Sequence, residues 1–179
     1  MLLRSIASLA CTAILSAASL TPAVAQNEQP KPSPPATATV SLNGKDVTIN
    51  YGAPSMRGRK IMGEVVPFDK VWRTGANEAT TFVTQGDLKV GPTLVPAGSY
   101  TLYTLPNPTR WLLILNKQTG QWGTVYDQSK DFARIPLRSS KLSSPQEKMS
   151  ISFENTHGNL TVLHIRWENT DQYIDIVGQ

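Results

Sequence analysis

Residues 38–51, ATVSLNGKDVTINY, decide the fold. Ala38, Val40 and Leu42 alternate with Thr39 and Ser41; Val47, Ile49 and Tyr51 alternate with Thr48 and Asn50; Asn43-Gly44 separates the two runs. A period of two sends successive side chains to opposite faces of a strand. Asn-Gly supplies the positive backbone angles that a two-residue hairpin turn requires. The stretch therefore predicts an antiparallel hairpin with one apolar face.

The same pattern continues downstream. Thr80, Phe82 and Thr84 alternate with Thr81 and Val83, a β-branched and aromatic run suited to a pleated surface. Leu88–Val90 and Thr93–Val95 flank Gly91-Pro92, and Pro96-Ala97-Gly98 turns the chain into residues 99–105. After Pro106-Asn107-Pro108, Trp111 to Leu115 are all apolar, which predicts a central strand covered on both faces and paired with the strand before it. Residues 132–137, 148–153, 162–167 and 173–177 read as further strands. About nine short strands with little helical periodicity predict an all-β domain, an antiparallel, jelly-roll-like β-sandwich, with a related barrel as the alternative.

Two segments break the alternation. Residues 52–70 carry Pro54, Gly58, Gly63 and Pro67 and read as a long loop with one short helical turn at 61–66. Residues 116–131, NKQTGQWGTVYDQSKD, are too polar for a core strand. Structureless loops longer than about 12 residues are uncommon in compact domains and are often functional.

Upstream of the hairpin, residues 1–25 read as a secretory signal: Arg4, an apolar run from Ile6 to Leu20, then Ala23-Val24-Ala25 as the small-x-small cleavage pattern. Serines and threonines interrupt the run, so a cleaved leader fits better than a membrane span. Residues 26–36, QNEQPKPSPPA, read as an extended Pro-rich linker. Residues 37–179 then form a single domain, long enough to bury about 70% of its unfolded surface. Cys11 is the only cysteine and lies in the leader, so the mature chain has no disulfide, thiol nucleophile or thiolate ligand. The net charge of +4 falls to +3 when Arg4 leaves with the leader. The basic residues are scattered, without a run interleaved with aromatics, so no nucleic-acid partner is expected. The expected destination is periplasmic or extracellular, and the mature chain is not an integral membrane protein.

The densest chemistry is WRTGANEAT, residues 72–80, at the junction of the first loop with a strand. Arg57 and Arg59, with Lys60, form either an anion clamp or a solvated turn paired with Glu64 and Asp69. Trp72 is a stacking platform or an anchor pinning the loop to the core. Asn77 can satisfy its own turn. Glu78 is a partner for Arg73 or Arg57, a ligand contact or a general acid/base. Trp122 and Tyr126 can wall a groove. These residues (Arg57, Arg59, Trp72, Arg73, Asn77, Glu78, Trp122 and Tyr126) are the candidate site for a small or carbohydrate-like ligand, or for a protein partner.

Whether the protein is an enzyme stays open at this point. The alternative to binding is hydrolysis of a polysaccharide or envelope polymer, with Glu78 the only catalytic candidate and Asp127, Asp131 or Glu168 as the second carboxylate that route needs. His157 and His164 lack metal-ligand spacing, and no G-x-S-x-G, H-E-x-x-H or phosphate-binding glycine loop is present, so neither metal nor cofactor is expected.

Residues 51–80, YGAPSMRGRKIMGEVVPFDKVWRTGANEAT, together with VPAGSYTLYTLP, WLLILNKQTGQWG, ISFENT and LHIRWENT, resemble the DUF2911 family of secreted bacterial proteins, a domain of unknown function. The resemblance spans residues 38 to 177. It implies an extracytoplasmic β-rich domain and carries over no catalytic residue or substrate.

Overall fold

A computed structural model describes residues 32–179, so the expected leader and the first part of the linker lie outside the described residues. The described residues form ten strands: β1 Pro35–Leu42, β2 Lys45–Gly52, β3 Ala76–Thr84, β4 Leu88–Val90, β5 Thr93–Val95, β6 Gly98–Leu105, β7 Leu112–Asn116, β8 Asp131–Pro136, β9 Arg138–His157 and β10 Leu160–Gly178. They make two antiparallel sheets, ordered β1-β2-β3-β6-β7-β8 and β5-β4-β10-β9. The fold is an antiparallel β-sandwich. No described helix is long and apolar enough to cross a membrane.

The opening hairpin forms as the alternation dictates. β1 and β2 pair from Pro35↔Gly52 to Leu42↔Lys45, and Asn43 and Gly44 turn at φ 52° and 73°. Ala38, Leu42, Val47 and Ile49 face the core, where Phe82, Leu102, Leu113 and Leu115 of the same sheet meet Leu88, Val90, Met149, Ile151, Leu163, Ile165 and Trp167 of the other. Each of the Val, Leu, Ile, Phe and Met side chains contributes about 1.5–3 kcal/mol by leaving water. The strand expected to be covered on both faces is β7, between β6 and β8. Leu113 and Leu115 belong to the core, while Ile114 is equally buried on the opposite face. Loop 117–127 accompanies that second face: Gln121 donates to Thr101 and Tyr103 of β6, and the Tyr103 hydroxyl donates to Val125 O at 2.7 Å.

Two features differ from the sequence expectation. Residues 61–66 close a turn, with Val66 N donating to Ile61 O and Gly63 N to Val66 O, both at 2.9 Å, and no helix forms. The last strands are long, 20 residues in β9 and 19 in β10. Their ladder is interrupted between Lys141↔Thr170 and Gln146↔Glu168, where residues 142–145 stand opposite Asn169 alone. Residues 138–147 are exposed on both faces for most of their length and so carry no alternation to read.

Candidate functional site

WRTGANEAT is a corner built on backbone contacts. Trp72 exchanges two hydrogen bonds with Thr104 of β6, at 2.8 and 2.9 Å. Its indole lies 5.9 Å from Trp167 with planes 17° apart, and meets Trp111 edge-on at 6.3 Å. Thr74, at φ 53°, donates to the Thr104 hydroxyl at 3.0 Å, and Thr80 donates to Thr74 O at 3.0 Å. β2 crosses this corner so closely that a Cβ on Gly52 would stand 2.3 Å from Ala76 O.

The second long loop docks on the same corner. Glu78 and Trp122 form an antiparallel bridge, and Gly123 N donates to Asn77 O at 3.3 Å. Gly123 lies under Arg73: a Cβ there would be 2.2 Å from Arg73 Cδ and 2.7 Å from Asn77 O. Glycine is what lets the loops touch. Arg73, Asn77, Glu78 and Trp122 thus come together at one junction.

At this junction Arg73 is half-buried, and its Nε is buried without a hydrogen-bond acceptor. Trp122 beside it is 52% exposed. Gln121 Oε1 is likewise buried without a donor, although its Nε2 donates to Thr101, Tyr103 and Gln118 O. An unpaired buried polar group costs about 1–3 kcal/mol. A guanidinium with spare donors, next to an exposed indole, suits a ligand with a carboxylate on a ring whose apolar face can stack.

The other candidates are committed elsewhere. Arg57 donates its guanidinium to Pro32 O at 2.7 Å and its backbone N to Glu147 at 2.8 Å, while Asn77, at φ 65°, donates to Ser33 O at 3.0 Å. Both grip the chain where it enters the domain. Arg59 folds back on the carbonyls of Met56 and Ser55, both at 2.9 Å. Arg57 and Arg59 line a cleft of about 330 Å³ with Pro32, Ser33 and Ser55. Lys60 pairs with Glu64 on the surface, whereas Asp69 accepts from Asn107. Glu78 is exposed and is engaged in an interaction of its own.

Tyr126 packs edge-on against Tyr103 at 5.0 Å and donates to Asp131 Oδ2 at 2.6 Å, with Arg134 donating to its hydroxyl at 2.8 Å. Burial, then the bond to Asp131, pushes its pKa up to about 12. The three carboxylates considered as a second catalytic group are also engaged. Asp127 accepts from Ser129 N and Oγ, Asp131 accepts from Tyr126, Arg134 and Asn116, and Glu168 accepts from Ile61 N at 2.9 Å and Met62 N at 3.3 Å.

Sequence reasoning missed a polar cluster on the β9–β10 ladder. Both Asp171 oxygens lie about 3 Å from His164 Nδ1 (2.9 and 3.0 Å), and Arg166 bridges Asp171 to Glu154 with a forked contact. The Arg166 guanidinium, helped by Ser152, holds the Glu154 carboxyl down at about 2. Among the described residues no group of three His, Cys, Asp or Glu side chains is placed to hold a metal ion.

Against this geometry, the family model "Protein of unknown function (DUF2911)" matches residues 33–176. The chain belongs to the DUF2911 family. The match takes in the whole corner and both loops of this DUF2911 domain. No curated protein and no solved structure matches the chain.

Proposed function

We propose that this DUF2911 chain is an exported, periplasmic or extracellular β-sandwich that binds rather than catalyses, and that its ligand is a small carbohydrate-like carboxylate held at the Arg73–Trp122 junction. The observation that carries the reading is the buried Arg73 Nε without an acceptor, set beside an exposed indole across Gly123. A bound carboxylate draws the Arg73 guanidinium outward, where Nε gains an acceptor, and Trp122 takes the apolar face of the ring. The hydrolytic alternative is disfavoured because Asp127, Asp131 and Glu168 each already serve a structural bond.

The test is a calorimetric titration with glucuronate and with glucose. Glucuronate should bind at least roughly tenfold more tightly, a difference of about 1.4 kcal/mol. Arg73→Gln should erase that preference, and Trp122→Ala should weaken both sugars. Equal binding of the two sugars, or a preference that survives Arg73→Gln, would refute the assignment. Export is tested by fractionating cells that express the full chain and determining the N-terminus of the product. A start at Gln26 outside the cytoplasm is expected; an uncleaved cytoplasmic chain contradicts it.

A further inference from the structure

A recess lies apart from the Arg73–Trp122 junction. A groove of about 440 Å³ opens where residues 62–68 approach the 107–111 turn and the interrupted part of the β9–β10 ladder. That volume lies within the range of roughly 300–1,000 Å³ usual for small-molecule sites. Met62, Phe68 and Trp111 supply apolar lining, and Lys141, Asn169 and Gln172 add polar groups to it.

The groove is produced by specific departures from regular structure. Glu168 sits at φ 54°, between two register shifts of the ladder, and its carboxylate holds the backbone of Ile61 and Met62. The Ile61–Val66 turn is thereby tied to the bulge, leaving Asn169 and Thr170 along the groove. Bulges of this kind re-aim side chains and are common beside sites.

Apart from Lys141, its hydrogen-bonding groups are uncharged, and several are unused. Among the described residues the side chains of Ser140 and Asn169 make no hydrogen bond, and Gln172 accepts from Ser139 through Oε1 with its Nε2 unengaged. Lys141 is the only charged residue in the lining. The neighbouring carboxylates are both occupied, Asp69 by Asn107 and Glu168 by the 61–62 backbone, and their charge opposes a bound anion. A hydrocarbon chain would strand the amides and hydroxyls without partners. A ring with an apolar face and a rim of hydroxyls satisfies both halves of the lining.

We infer that this groove is a second ligand site, independent of the Arg73 junction, and that it takes a neutral sugar ring. The proposal does not rest on the carboxylate reading of the other site. Its experiment is saturation-transfer NMR and calorimetry on the mature chain with three neutral disaccharides of different linkage: cellobiose, maltose and diacetylchitobiose.

At least one should bind at concentrations up to about 10 mM. Asn169→Ala should weaken that sugar at least roughly fivefold and Thr109→Trp, which fills the groove, should abolish binding, with folding of each variant checked by its thermal transition. Arg73→Gln should leave the affinity unchanged. The inference is overturned if none of the three sugars binds, if binding survives both groove variants, or if it disappears with Arg73→Gln. If the groove variant fails to fold, the Asn169→Ala result decides alone.

Discussion

Replacing Glu154 by Gln removes the charge and one of the two oxygens on which the Arg166 fork closes, while keeping the shape of the side chain. The folded-state pKa of Glu154, about 2, lies below its ordinary 4.5. A carboxylate depressed in this way contributes stability that is complete above pH 4.5 and is lost as pH falls through about 2. At about 1.4 kcal/mol per pH unit the full drop corresponds to about 3.4 kcal/mol. The Glu154 side chain is 35% exposed, so solvent screening reduces this to about 1–2 kcal/mol. Urea unfolding of Glu154→Gln at pH 7 should show that deficit, with a melting temperature lower by about 3–8 °C for a domain of this size. The gap between variant and parent should then close between pH 4.5 and 2. A variant as stable as the parent at pH 7, or a gap of constant size down to pH 2.5, would show that the Glu154 charge is not what the contact with Arg166 depends on.

Two further outcomes follow from the loop junctions. Gly123→Ala places a methyl 2.7 Å from Asn77 O, a backbone atom that cannot swing aside, and should destabilise the domain by about 1–3 kcal/mol in thermal melts while weakening glucuronate; an unchanged melt would contradict the docking of loop 117–127. Glu168→Gln leaves one acceptor for two backbone donors and should accelerate amide exchange at Ile61 and Met62, by about 1–2 kcal/mol of local opening free energy; unchanged exchange would mean that Glu168 does not hold this turn.

The hairpin was legible because its alternation and its Asn-Gly turn agree, and β7 because five consecutive apolar residues demand cover on both faces. That a loop would lie over one of those faces was not legible: Gln121, Val125 and Tyr126 are polar or isolated in sequence, and their packing depends on the outward hydroxyls of Thr101 and Tyr103. The first half of β9 was hidden because an exposed edge strand rich in Ser carries no period. At the site, the crowded chemistry of residues 72–80 was readable, but the roles of its members were not. Arg57 and Asn77 spend their donors on carbonyls 25 and 44 residues away, and Arg73 is distinguished by a missing bond, which no spacing encodes. The His164–Asp171 pair was missed because residues seven apart on one strand would point to opposite faces had the ladder not been bulged between them.

The way β10 closes the smaller sheet has a consequence in time. β4 pairs with β5 on one side and with residues 176–178 on the other, nearly ninety positions away in the chain, and Gly178 also receives the Asn43 amide from the first hairpin. Pairing across such a separation is slow, because the entropy of loop closure is spent before any contact rewards it. During synthesis Leu88 and Val90 therefore wait uncovered while six strands of the other sheet can already assemble. A chain stopped a few residues short of Gly178 would hold one finished sheet and an unclosed half of the second.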